Sequence, residues 1–98
     1  MVAQFARLEG VVASLAGEHD AAVDLLGTAL AAARSCDAVH WTMEILCDYA
    51  DALLRDDRGE EAASLLAEAR EIGERLAALR TLERITALEA RLPAAATA

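Results

Sequence analysis

Residues 20–30 read DAAVDLLGTAL, and residues 60–70 read EEAASLLAEAR. When the two stretches are superposed, their small and branched apolar residues coincide at a distance of 40 residues: Ala22, Leu25, Leu26 and Ala29 fall on Ala62, Leu65, Leu66 and Ala69. Inside each copy the steps of three and four residues keep these side chains on one helix face. Self-similarity over about 20 to 50 residues is typical of stacked supersecondary units, so the two stretches predict a helical repeat.

Composition supports a purely helical chain. Alanine and leucine supply 25 and 15 of the 98 residues, while Pro, Phe, Trp and Tyr occur once each. Alanine and leucine are strong helix formers, whereas strands favour aromatic and branched residues. We therefore predict one small all-α domain, in which alanine at contact positions lets helix axes approach closely.

Charge and cysteine content restrict the partners and the compartment. A net charge of −8 with no basic stripe argues against direct contact of this segment with nucleic acid, because such binders neutralise phosphates with Lys and Arg. No apolar run reaches the roughly 18 residues of a membrane span, and no leader pattern is present. Cys36 and Cys47 are too few for a disulfide framework. These features predict a cytoplasmic chain without membrane contact.

Periodicity and turn residues divide the chain into about five helices. We expect a helical-repeat domain over residues 1–92, with a first repeat at about 3–34, a second at about 37–77 and a capping helix at about 81–92. Asp37 is the expected N-cap of the third helix. The amphipathic fifth helix fits a cap because a terminal repeat needs a polar outer surface. Residues 93–98 are expected to form a disordered tail.

The first helix, unlike the fifth, has no feature of a capping helix. Phe5, Leu8, Val12 and Leu15 recur at steps of three and four residues and form the expected apolar stripe of the first helix. No polar cap precedes this helix, and we expect Val2, Val11 and Phe5 to leave apolar surface that the remaining helices do not fully cover. We infer a missing neighbour, either preceding repeats of a longer parent chain or a second copy of this one.

The pattern resembles tetratricopeptide repeats, whose second helices carry Ala, a bulky residue and Ala at steps of four and three. Both copies match this set, with Ala22, Leu26 and Ala29 in one and Ala62, Leu66 and Ala69 in the other. The first helices lack the family's aromatic residues, and the period of 40 exceeds the usual value of about 34. Long alanine-rich hairpins such as LAEAREIGERLA at residues 66–77 are similar to the C-terminal repeat segment of LuxR-type ATP-dependent regulators and cyclase-fused relatives from actinobacteria.

The resemblance implies stacked antiparallel hairpins in an α-α superhelix that binds a protein, peptide or small effector and has no catalytic role. First helices line the concave groove in that family, which places five polar residues of this chain on the groove: Arg7, Ser14, Glu44, Asp51 and Arg55. The alternative is that these are ordinary solvated positions of amphipathic helices.

Trp41 is a further candidate because it lies off the apolar stripe of the third helix, between His40 and Thr42. Two interpretations remain open. The indole packs across the hairpin against the loop after Cys36, or it anchors a binding partner as a hot spot.

Metal binding and catalysis are the weakest hypotheses. Cys36, His40, Glu44 and Cys47 share one helix side, but residues seven apart lie about 10 Å apart along a helix axis and cannot close a tetrahedral site. The five glycines do not form a phosphate-binding loop or nucleophile elbow. The sequence therefore predicts no cofactor and no enzyme activity. Self-association as a homodimer remains the alternative to a module that binds another protein.

Overall fold

The computed structural model describes residues 2–93, with side chains from Phe5 onward. This part of the chain forms five α helices and no strand, as the all-α prediction expects: α1 Val2–Leu15, α2 His19–Ser35, α3 Val39–Arg55, α4 Gly59–Leu76 and α5 Leu79–Glu89. The fifth helix was expected at about 81–92, whereas α5 begins at Leu79 and ends at Glu89. Of the predicted disordered tail, residues 94–98 lie outside the described residues.

The four loops between helices share one geometry, repeated every 20 residues. Gly17, Asp37, Asp57 and Ala77 all have left-handed backbones, with φ of 82°, 52°, 57° and 53°. In each loop the N–H of the next residue donates to a carbonyl five residues earlier, at 2.8–3.1 Å. This is the Schellman motif, which satisfies the last carbonyls of a helix. Every helix from α1 to α4 therefore ends in the same way and turns the chain into the next helix.

The N-cap prediction for Asp37 is wrong. Asp37 has a left-handed backbone and follows the end of α2, while Ala38 precedes α3 and makes no side-chain cap hydrogen bond. Aspartate is one of the few residues other than glycine that adopt this conformation at modest cost. The residue is therefore used to end one helix and not to begin the next.

Each helix packs against the next along the chain, and α3 also packs against α1 and α5. The described chain forms a slab of 36 × 32 × 19 Å. Because a helix with its side chains is about 10 Å wide, a thickness of 19 Å corresponds to two helix layers. One layer contains α1, α3 and α5, which we call the odd-helix layer, and the other contains α2 and α4.

The core lies between the two layers. The predicted stripes of α2, α3 and α4 are buried over most of their length, including Ala22, Leu26, Ala29, Ala33, Met43, Leu46, Ala50, Leu53, Ala62, Leu66 and Ala69. Ile85 and Leu88 bury α5 against the same cluster. Val39 and Leu76, at helix ends, are exposed contrary to the pattern. Core positions of α2 and α4 that are 40 residues apart are thus buried alike, as in Leu26 and Leu66.

Helix α1 departs from the prediction. Its expected stripe of Phe5, Leu8, Val12 and Leu15 is 62–69% exposed, and the buried residues are Ala6, Gly10, Ala13 and Ser14. A Cβ at Gly10 would lie 2.7 Å from Leu26 Cγ, so this glycine lets α1 approach α2 closely. The helix therefore packs through its small residues, and its large apolar residues face outward because no described helix lies in front of them.

Candidate binding surface on the odd-helix layer

Asp48, in the middle of α3, is the centre of the most connected polar cluster. Its side chain is 6% exposed and receives hydrogen bonds from Arg7 of α1 and Arg84 of α5, at 2.5 and 2.7 Å. Each carboxylate oxygen is paired with a different arginine. Buried charges of this kind are tolerated when they are paired and hydrogen-bonded. One carboxylate therefore joins all three helices of the layer.

The cluster continues along α3 in both directions. Toward the start of α3, Glu44 lies 3.8 Å from the Arg7 guanidinium and accepts a hydrogen bond from Thr81 at 2.7 Å. Toward its end, Asp51 accepts a hydrogen bond from Arg91 at 2.7 Å and lies 3.5 Å from Arg55. We call this set the ionic lattice; it consists of Arg7, Glu44, Asp48, Asp51, Arg55, Thr81, Arg84 and Arg91.

Trp41 lies at one end of the ionic lattice. The Arg7 guanidinium carbon is 5.5 Å from the centroid of its ring, within the range of a cation–π contact. His40 packs edge-on, with ring centroids 6.3 Å apart. The indole remains 39% exposed, which is high for the largest apolar side chain in a chain this small. It therefore offers aromatic surface to solvent, beside an arginine that is held in place.

The structure places five of the six residues that the sequence predicted in the ionic lattice or beside it, in two separate groups. Trp41, Arg7 and Glu44 meet at one end of the lattice, and Asp51 and Arg55 meet at the other. The charged side chains among them already form ion pairs within the chain. The ionic lattice therefore stabilises this surface as well as lining it.

Ser14 does not lie on the accessible surface. It is 7% exposed, and its Oγ is buried without a hydrogen-bond partner among the described residues. Seven residues are two helical turns, so Ser14 lies on the same side of α1 as Arg7, where α1 packs against α3. The short side chain is covered there, whereas the long arginine reaches the polar cluster.

Sequence reasoning missed four lattice members: Asp48, Thr81, Arg84 and Arg91. A signal for Asp48 was present, because Glu44, Asp48, Asp51 and Arg55 follow steps of four, three and four residues. Such spacing is one face of a helix. The partners on α5 have no comparable signal, since pairing between helices depends on their packing.

The thiol beside the lattice is shielded. Cys47 is fully buried, and this burial raises its pKa to about 11, with nearby Glu44 and Asp48 adding to the rise and Arg84 opposing it. A thiol with this pKa is protonated at neutral pH and is a poor nucleophile. Cys36 is exposed. Among the described residues, no group of three or more His, Cys, Asp or Glu side chains is arranged to hold a metal ion.

Comparison with known proteins gave no match to this chain among family models, curated proteins or solved structures. Within residues 2–93, none of the helices combines the length and the apolar character needed to span a bilayer.

Proposed function

We propose that this chain is a helical-repeat interaction module of the tetratricopeptide-like kind. In this arrangement α1–α2 and α3–α4 are successive hairpins of an α-α superhelix, and α5 covers the trailing end. The support comes from the loops that recur every 20 residues and from the matched burial of core positions 40 residues apart in α2 and α4. Contacts of α3 with both α1 and α5 fit a layer of first helices lying side by side.

The partner-binding surface in this proposal is the part of the odd-helix layer around Trp41 and Arg7. The observation that carries it is the 39% exposed indole, which lies where α1 meets α3 and has an arginine over its ring. Tryptophan and arginine are the residues most enriched in interface hot spots. Because Asp48 and Glu44 hold Arg7, little side-chain entropy is lost when a partner packs there.

The partner is a protein or peptide segment that packs an apolar side chain on the open part of the indole. An exposed indole beside an arginine that is held in place suits such a segment better than a small effector, which needs a concave pocket that buries most of its surface. The resemblance to the repeat segment of LuxR-type regulators supports a place in a bacterial signalling assembly in the cytoplasm. No step of this proposal requires a cofactor.

Site-specific photo-crosslinking tests the surface. A photoreactive phenylalanine analogue replaces Trp41 in one variant and Glu74, an exposed residue of α4, in the matched control. After irradiation in the producing cells, we expect an adduct with one protein from position 41 and none from position 74. Arg7→Ala should weaken the same adduct. Equal labelling from both positions, or labelling from neither, would contradict the proposed surface.

A further inference from the structure

The stripe Phe5, Leu8, Val12 and Leu15, which we call the open stripe, contains four of the eight large apolar side chains that are exposed among the described residues. It borders a groove of about 390 Å³ between α1 and α2, which also contains Ala21 and Leu25. Soluble monomers rarely leave such contiguous apolar surface without a use. The question is which partner fits it.

The far end of the chain supplies the comparison. Residues 80 positions apart match between α1 and the α5 end of the chain. Phe5, Leu8 and Glu9 correspond to Ile85, Leu88 and Glu89 of α5, and Val12 corresponds to Leu92, which follows α5. On α5 the first two of these positions are buried, with Ile85 at 0% and Leu88 at 5% exposure, and Leu92 packs partly buried against the same core. The corresponding side chains are therefore fully or partly covered at the α5 end and uncovered on α1.

The cover on α5 is provided by α3 and α4. Gly73 of α4 lies so close to α5 that a Cβ there would come within 2.9 Å of Leu82. Arg70 of α4 donates hydrogen bonds to both carboxylate oxygens of Glu89, at 2.5 and 3.1 Å. On α1 the corresponding carboxylate is that of Glu9, which is exposed. The α5 carboxylate that meets α4 thus has a counterpart on α1, whereas Thr86, which accepts a further hydrogen bond from Arg70 at 3.0 Å, corresponds to Ala6.

We propose that the open stripe is the docking face for another helical hairpin of the α3–α4 kind, stacked in front of α1. Its second helix carries small residues where α4 has Ala69 and Gly73, and an arginine where α4 has Arg70. That arginine pairs with Glu9, as Arg70 pairs with Glu89. The inference rests on the proposed repeat arrangement, but it concerns a different face from Trp41.

A second copy of this chain is a poorer occupant. The α3–α4 face that would complement the open stripe is already covered by α5 in every copy. Pairing two open stripes antiparallel, with Phe5 opposite Leu15 and Leu8 opposite Val12, places Glu9 near its own counterpart. Like charges in that position oppose association. The charge pattern therefore favours a hairpin that brings an arginine.

A tandem chain tests the docking face directly. It fuses a second copy of residues 39–80 to the N-terminus of the full chain. Met1 then follows Arg80 directly, as Thr81 does in the natural chain. Amide exchange of α1 should slow on the order of 100-fold, because large apolar side chains become buried. The amides of α5 serve as the internal reference. Unchanged exchange of α1 would overturn the proposal, whether or not the added hairpin folds.

The control is Phe5→Ser, made in the tandem and in the natural chain. It should abolish most of the added protection in the tandem and leave the urea midpoint of the natural chain unchanged, since this side chain is exposed there. Sedimentation equilibrium of the natural chain should give 10.3 kDa at every concentration. A dimer that Phe5→Ser dissociates would assign the open stripe to a second copy and overturn the proposal. Crosslinking from position 41 tests the Trp41 surface independently of this result.

Discussion

Asp48→Ala is the substitution that most directly tests the ionic lattice. It removes the carboxylate that pairs with Arg7 and Arg84 and leaves two guanidinium groups facing each other across α3. Breaking a fully buried ion pair by removing one partner costs about 3–5 kcal/mol. Here the side chains of Arg7 and Arg84 are 22% and 38% exposed, so water solvates them in the variant. We therefore expect a loss of about 2–3 kcal/mol, below the range for a fully buried pair.

Urea unfolding followed by far-UV circular dichroism measures this loss, with a constant slope as the check that only stability has changed. For a chain of this size the expected loss lowers Tm by roughly 10–20 °C. Glu71→Ala is the matched control, because it breaks an exposed pair with Arg75 and should cost at most about 0.5 kcal/mol. The double variant Asp48→Ala/Arg84→Ala should be little less stable than Asp48→Ala alone, since both remove one shared interaction.

A loss below about 1 kcal/mol for Asp48→Ala would refute this account of the lattice. It would mean that the three helices of the odd-helix layer are held by apolar packing alone. The same result would weaken the proposal that Arg7 is held ready beside Trp41, because Asp48 is its closest partner.

The remaining predictions concern four substitutions at glycines or at a left-handed alanine, and one buried thiol. Thermal or urea unfolding measures the stability of the four substituted chains. Gly10→Ala should destabilise the chain by about 1–3 kcal/mol, because its Cβ would lie 2.7 Å from a leucine carbon of α2. Gly27→Ala should stabilise the chain by about 0.5–1 kcal/mol, because the nearest neighbour of its Cβ would be 3.6 Å away. The opposite order of stability would contradict the α1–α2 packing. Ala77→Gly should stabilise the chain by about 1 kcal/mol and Gly17→Ala should destabilise it by a similar amount, because both positions have positive φ. A change of the same sign in both variants would show that these two residues do not have left-handed backbones in solution. Cys47 should resist a thiol reagent at pH 8 in the native state and react after unfolding. Its raised pKa should stabilise the fold fully below the ordinary value of 9.0, with that contribution lost as the pH rises toward 11; two native thiols reacting at the same rate would contradict its burial.

The sequence predicts the helices and most of their buried faces because these depend on local information. Steps of three and four residues identify Leu26, Leu46 and Leu66 as core positions, and all three are buried. Helix boundaries are predicted less accurately. The sequence places the start of α5 too late because the preceding turn uses a left-handed alanine, Ala77, and not a residue typical of turns. An alanine with positive φ is uncommon, so the residue type does not predict this turn.

Which face of α1 is buried could not be predicted in the same way. Periodicity shows that Phe5, Leu8 and Val12 share a face, but it does not show whether another helix covers that face. Ala6 and Ala13 form a second face of small residues, and close packing on Gly10 decides between the two. The outcome depends on the shape of α2, which is tertiary information.

For the candidate site, the sequence finds the residues on α1 and α3 but not their partners. Arg7 and Asp48 are 41 residues apart in sequence, and Arg84 is 36 residues from Asp48. Pairs at such distances depend on how the helices align, and many alignments place some arginine near some carboxylate. Only the packed arrangement selects these pairs.

That selection explains why a charged group lies within an alanine-rich layer. Seams of alanine and leucine are similar at each turn, so packing alone distinguishes weakly between alignments that differ by one turn, about 5.4 Å along the axis. In the observed alignment both arginines reach Asp48, and an alignment in which neither did so would leave a buried carboxylate unpaired. The lattice therefore fixes the register of α1, α3 and α5, and with it the position of Arg7 over Trp41. If so, replacing Asp48 by Leu should preserve helix content more than it preserves the environment of Trp41, and indole fluorescence will shift even where circular dichroism does not.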